Sequence, residues 1–144
     1  RQLQLPETLP ILAQTLANTR DDRFVRISAA YGLAQLGEAQ GTAGLMQIFH
    51  DAAQDGQGRA PAFRALMTLN DPAALPLMRQ LAASDADVSY RLAAMRFLGR
   101  QGDREALPLL QQVLASPREQ PSVVDTAVQT REAILNGQRP APAR

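Results

Sequence analysis

Residues 75–84 read LPLMRQLAAS, and residues 107–116 repeat this phrase as LPLLQQVLAS at an offset of 32. An upstream copy, LPILAQTL at residues 9–16, lies two repeats of 33 earlier, and a weaker copy, GLMQIF at residues 44–49, fills the gap. A phrase that returns at a fixed spacing is the sequence signature of a repeat architecture, in which each repeat is one supersecondary unit. The chain therefore contains about four repeats of 32 to 33 residues.

A second phrase alternates with the first and places an arginine four positions after an aspartate. Three such pairs recur at spacings of 33 and 32 residues: Asp22 with Arg26, Asp55 with Arg59, and Asp87 with Arg91. Side chains at this spacing meet on one helix face, and we expect each arginine also to reach a carboxylate of the neighbouring repeat. The pattern predicts a structural charge network along one edge of the repeats.

Each half-repeat has the apolar spacing of a helix. Leu107, Leu110, Val113 and Leu114 recur at the intervals that place apolar side chains on one helix face. The composition agrees, since 25 alanines and 20 leucines favour helix over sheet. The predicted helices span residues 5–19, 22–36, 40–51, 58–69, 72–84, 87–101, 104–116 and 120–136.

Start and stop signals fit this map. We expect Gly37, Asn70 and Gly102 to close three of the units, because these residue types suit the left-handed end of a helix. Three prolines lie in the first helices and either kink them or mark their true starts: Pro10, Pro76 and Pro108. Residues 52–58 are predicted to form the longest internal loop, a mobile one.

The predicted organisation is one domain over residues 1–137. Its four repeats span residues 5–36, 38–69, 71–101 and 103–136, and residues 138–144 are predicted to be a disordered tail. Because the sequence begins at Arg1, we expect the chain to be a processed product or a piece of something longer.

Composition excludes several kinds of chemistry. The 144 residues include no cysteine and one histidine, and all fifteen positive charges are arginine. Thiolate sites, two-histidine metal sites and lysine catalysis are therefore excluded. His50 is interpreted as a polar residue near a helix end, and Asp85 and Asp87 as capping residues of a tight turn. We expect no catalytic residue, no metal site and no cofactor.

One further set of residues is a candidate binding surface. When the second helices of the repeats are aligned, the face opposite the apolar one carries a column of polar side chains. Arginine forms bidentate contacts with carboxylates, and tyrosine and arginine are common at binding hot spots. The predicted binding residues are Tyr31, Gln35, Arg64, Arg96, Arg100 and Arg131.

The alternating phrases resemble HEAT repeats of the short type first associated with phycobilisome lyases. Val25-Arg26 with Ala29, Ala30, Leu33 and Gly37 carries the resemblance best, and it covers about residues 5 to 136. This similarity implies a right-handed superhelix of antiparallel helix pairs. It also implies that the second helices line a concave, partner-binding surface and that the protein is a binding scaffold.

Three functions follow for testing. The first is a non-catalytic protein-interaction scaffold whose partner is an acidic segment or another domain of the same polypeptide. The second is an enzyme of the bilin-lyase kind or another enzyme with the HEAT fold, suggested only by the repeat type. The third is nucleic-acid binding, which the net charge of +1 disfavours. No run of apolar residues is long enough for a membrane span, and the lack of cysteine slightly favours an exported or periplasmic protein over a cytoplasmic one.

Overall fold

A computed structural model describes residues 5–55, 58–84 and 87–137, and these ranges contain helices and turns but no strand. Their α-helices are α1 (Leu5–Ala17), α2 (Arg23–Gln35), α3 (Ala39–Asp55), α4 (Arg59–Leu69), α5 (Leu75–Ser84), α6 (Val88–Gln101), α7 (Leu107–Ala115) and α8 (Pro121–Asn136). Two 3₁₀ turns, Pro72–Ala74 and Arg104–Ala106, precede α5 and α7. The predicted all-α class is confirmed.

The helix map needs one clear correction. The predicted mobile loop over residues 52–58 is wrong for its first part, because α3 continues to Asp55. His50 therefore lies well inside α3, with its side chain exposed, and not at the helix end. Residues 56–57, 85–86 and 138–144 lie outside the described residues. The predictions for this part of the loop, for Asp85 and for the tail therefore concern residues that the structure does not describe.

The repeat ends follow the predicted stop signals. Gly37, Asn70 and Gly102 have φ angles of +85°, +51° and +63°, a region that glycine and asparagine enter at the lowest cost. At the end of α6, the Gly102 N–H bonds the Gly99 carbonyl and the Asp103 N–H bonds the Leu98 carbonyl. These bonds satisfy carbonyls that the helix itself leaves without donors.

The prolines of the last two repeats mark true helix starts. Pro76 and Pro108 are the second residues of α5 and α7, each directly after a 3₁₀ turn. A proline costs little there, because the first N–H groups of a helix have no partner within it. Pro10 differs, since it lies inside α1.

The chain divides into two compact units, Arg1–Ala74 and Leu75–Arg144. In the first unit, α1 packs on α2, α2 packs on α3 and α4, and α3 packs on α4 and on the turn Pro72–Ala74. Leu33, Leu45 and Leu66 are fully buried there. The unit boundary falls inside the predicted third repeat, so the grouping of four repeats into one domain stays a prediction.

The second unit has two layers of helices. The pairs α5–α6 and α7–α8 each form a repeat, while α5 contacts α7 and α6 contacts α8. Phe97, Leu98 and Ile134 are fully buried between these layers. Leu98 shares its repeat position with Leu33 and Leu66, and all three side chains are fully buried, so this position belongs to the core in three repeats.

Candidate interaction surface on the second helices

The residues predicted to bind a partner all lie on the second helices. In the unit Arg1–Ala74, Gln35 and Arg64 are exposed and Tyr31 is half-buried. In the unit Leu75–Arg144, the arginines of the predicted face are all exposed: Arg96, Arg100 and Arg131. A continuous column over all four repeats stays a prediction.

Arg96 and Arg100 border an open groove between α6 and α8, hereafter the α6–α8 groove. Its volume is about 360 Å³, and its lining is predominantly apolar. The lining residues are Arg96, Gly99 and Arg100 from α6, and Thr126, Gln129, Thr130 and Ala133 from α8. Arg131 is not among them. The structure thus brings two of the predicted residues together around a concavity that the sequence did not predict.

Close packing of the two helices forms the floor of this groove. The buried Thr130 hydroxyl donates to the main-chain oxygen of Met95 at 3.2 Å, which ties α8 to α6. Gly99 faces this contact, and a Cβ built there would lie 3.5 Å from Thr130 Cγ2 and 3.6 Å from Ala133 Cβ. Any side chain longer than alanine at residue 99 would therefore extend into the groove.

The sequence does contain a signal for the groove. Gly99 occupies the repeat position held by Ala34 and Met67 in the preceding second helices. Glycine inside a helix costs roughly 0.5–1 kcal/mol relative to alanine, so a glycine in place of a methionine indicates a site of close approach or an empty space. Periodicity alone does not distinguish these two meanings.

The groove is electrostatically one-sided. Two arginines and no acidic residue are among the residues that line it. The Arg100 guanidinium carbon lies 5.8 Å from the ring centroid of buried Phe97, a distance at which the ring face attracts a cation. The arrangement suits an anionic group that also carries apolar surface.

Two of the Asp/Arg phrases cap a helix and connect it to its neighbour. Asp22 and Asp87 cap α2 and α6, accepting from the Phe24 N–H at 2.7 Å and the Ser89 N–H at 2.8 Å. In the same repeats Arg26 Nε donates to the Leu16 carbonyl at 2.9 Å, and Arg91 Nε donates to the Ala82 carbonyl at 3.2 Å. Each arginine thus satisfies a carbonyl in or just before the last turn of its own first helix.

Arg91 also reaches the next repeat, as the sequence predicted in general form. Its Nη1 and Nη2 donate to the two carboxylate oxygens of Glu119 at 3.0 and 2.8 Å. Glu119 lies between α7 and α8, in the fourth repeat, which has no aspartate followed by arginine four positions later. Hydrogen bonding from Arg91 holds the pKa of Glu119 below its ordinary value, against the opposing effect of burial.

The middle phrase of the network has a different environment. The Arg59 guanidinium carbon lies 4.8 Å from the ring centroid of Phe49, and the Phe49 ring in turn lies 5.8 Å from that of Phe63. The Asp55 side chain lies outside the described part of the chain. Pairing of each arginine with its own aspartate therefore stays a prediction.

Sequence reasoning missed a second carboxylate link. Arg79 on α5 donates to both oxygens of Asp103 at 2.7 and 2.9 Å, and to Glu105 at 3.3 Å. Asp103 is only 7% exposed. Hydrogen bonding to this carboxylate raises the pKa of Arg79 above the ordinary value for arginine. In the first unit, Asp71 at the same repeat position accepts from the Thr42 hydroxyl at 2.6 Å. The signal was the recurrence of a carboxylate directly after Asn70 and Gly102.

No group of three or more His, Cys, Asp or Glu side chains in residues 5–55, 58–84 and 87–137 is arranged to hold a metal ion. Over the same ranges, no helix is both long and apolar enough to pass through a membrane.

The family assignment rests on the match to a family model. The model for HEAT repeats matches residues 42–130, which run from α3 into α8 and include all of α6 and the first ten residues of α8. No curated protein and no solved structure matches the chain. Because the matched segment covers more than half of the 144 residues, this protein belongs to the family of HEAT repeats, whose fold is an α–α solenoid.

Proposed function

We propose that the chain is a non-catalytic protein-interaction scaffold and that its partner contacts the exposed, concave face of the second helices. HEAT repeats generally serve as interaction scaffolds, which supports the first part of the proposal. The partner is an acidic segment of another protein or of another domain of the same polypeptide.

The observation that carries this proposal is the pair Arg96 and Arg100. Both guanidinium groups are exposed on α6 and border the α6–α8 groove, whose lining contains no carboxylate. Arg79 and Arg91, in contrast, already hold Asp103 and Glu119 by paired hydrogen bonds. The second unit therefore has arginines with an internal structural role and arginines that face solvent beside a concavity.

An acidic partner fits these exposed arginines for two physical reasons. The planar guanidinium can donate two parallel hydrogen bonds to one carboxylate, a stronger and more directional contact than a point charge makes. Charges of one sign beside low-dielectric walls also attract an oppositely charged ligand over some distance, and salt screens this attraction. Binding should therefore weaken as the ionic strength rises.

A charge-reversal experiment tests the proposal. The probe is a fluorescent glutamate-rich peptide, and the variant carries Arg64→Glu with Arg96→Glu. We expect its affinity to fall by about tenfold or more at low salt, because like charges replace attractive ones. The loss should shrink at high salt.

The control must be an arginine that has no structural partner to lose. Arg79 is unsuitable, since a glutamate there would face buried Asp103. Arg104→Glu is the better control: this exposed residue lies in the turn before α7, where an acidic side chain is favoured by the helix dipole. Equal binding by the double variant and the control would place the binding site on the first helices, the edge loops or the terminal repeats.

A further inference from the structure

We infer that the α6–α8 groove binds a peptide segment in which an apolar side chain lies next to a carboxylate. This inference rests on the proposed function, because it takes the partner to be an acidic polypeptide. It goes further by assigning the groove floor to an apolar residue of that partner, so that charge alone does not explain the binding.

The size and lining of the groove indicate what it can hold. A volume of about 360 Å³ is at the lower end of the range for small-ligand pockets. It suits one or two side chains rather than a whole helix. The lining is predominantly apolar and includes Gly99, Thr130 and Ala133. An apolar side chain placed there would remove water from both its own surface and the apolar floor, which favours binding.

The border of the groove supplies the complementary charge. Arg96 and Arg100 are four residues apart on α6, a rise of about 6 Å along the helix axis. A carboxylate next to the apolar side chain can therefore meet one or both guanidinium groups while that side chain stays on the floor. Gln129 lines the groove from α8, and its amide can both donate to and accept from a peptide main chain.

The groove is preorganised for such a ligand. The bond from Thr130 to the Met95 carbonyl fixes α8 against α6 at the floor, and the contact with the Phe97 ring restrains the Arg100 side chain. A site that is already ordered loses less conformational entropy on binding. Gly99 keeps the space open at a position where the preceding repeat has Met67.

Two peptides and four variants test the inference. The peptides have equal length and charge, with carboxylates on both sides of a central residue that is leucine in one and serine in the other. We expect the native chain to bind the leucine peptide roughly tenfold more tightly, since burial of an apolar side chain favours binding by at least that factor. Gly99→Leu should fill the groove and abolish this preference, and Gly99→Ala is its control because a Cβ there meets only ordinary contacts.

A second filling variant guards against a folding defect. Ala133 is exposed on α8, so Ala133→Leu fills the groove from the other helix at a position that tolerates a larger side chain. Thermal unfolding of each variant checks the fold. We expect both filled variants to bind the two peptides with equal affinity, close to the affinity of the native chain for the serine peptide.

The outcomes separate this inference from the proposed function. Equal binding of both peptides by the native chain, with weaker binding by Arg96→Glu, would overturn the inference and leave the acidic-partner proposal standing. An unchanged leucine preference in both filled variants would also overturn it. Failure of the native chain to bind either peptide, or binding that Arg96→Glu does not change, would overturn both.

Discussion

The link between Arg91 and Glu119 should stabilise the second unit by more than an ordinary surface ion pair does. The two side chains are 11% and 17% exposed and share two hydrogen bonds, and Arg91 Nε makes a third to Ala82. Hydrogen bonds to charged groups contribute about 1.5–3 kcal/mol each, and loss of one partner of a fully buried pair costs about 3–5 kcal/mol. Because some solvent reaches this pair, we expect Arg91→Ala to cost about 3 kcal/mol.

The partner variant should cost less and the two should not add. Glu119→Ala leaves Arg91 with its bond to Ala82, so we expect a cost of about 2 kcal/mol. The double variant should cost about 3–4 kcal/mol, which is a coupling energy of about 1–2 kcal/mol within the range for residues of one hydrogen-bond network. Urea unfolding of the native chain, the two single variants and the double variant measures these values.

The control for this cycle is Arg104→Ala, which changes an exposed arginine of the same unit. We expect an effect within about 0.5 kcal/mol, as for most surface substitutions. If the Arg91 and Glu119 costs add within error, the two residues are not coupled and the structural account of this link is wrong.

Two further predictions concern stability. The pKa of Glu119 is lowered in the folded chain. Its contribution to the free energy of unfolding is therefore fully present above the unfolded glutamate pKa of about 4.3 and is lost as the pH falls below that value. Glu119→Gln should flatten this acid limb of the curve of stability against pH, and an unchanged limb would show that other carboxylates cause it. Leu98→Ala removes a fully buried side chain and should lower the free energy of unfolding by about 2–5 kcal/mol. Its control is Leu135→Ala, at a side chain 40% exposed, which should lower it by less than about 1 kcal/mol. Equal shifts in denaturation midpoint would contradict the assignment of residue 98 to the core.

The fold was predictable because its determinants are local and repeated. Apolar spacing recurs along the chain, aspartates cap α2 and α6, and Gly37, Asn70 and Gly102 end three of the repeats. Each of these signals acts within a few residues of chain. The wrong prediction for the end of α3 also comes from reliance on local signals. Gly56 and Gly58 indicated a loop, but Ala52 is fully buried, and burial of this alanine favours one more turn of helix than the local sequence signals.

The candidate site was predictable only in part, because groove formation depends on contacts between repeats. Alignment of the second helices did find Arg96 and Arg100. It could not find Thr130 or Ala133 opposite them, since the fourth repeat lacks the Asp/Arg phrase that aligns the other second helices. The space itself depends on Gly99, which lies against Thr130 and Ala133 of α8, and the residues around a glycine do not show which helix packs against it.

The arginines show why residue type alone cannot separate structure from function in this chain. With no lysine present, arginine must supply every cationic side chain, both in structural links and on exposed faces. Arg79 and Arg91 reach carboxylates 24 and 28 residues further along the chain, about one repeat away, so their role is set by stacking of neighbouring repeats. Arg96 and Arg100 lie on the same helix as Arg91 but on its exposed face beside the groove. A substitution at Arg91 should therefore lower the free energy of unfolding and affect binding only through that loss. A substitution at Arg96 should lower the affinity for the partner and leave the free energy of unfolding nearly unchanged.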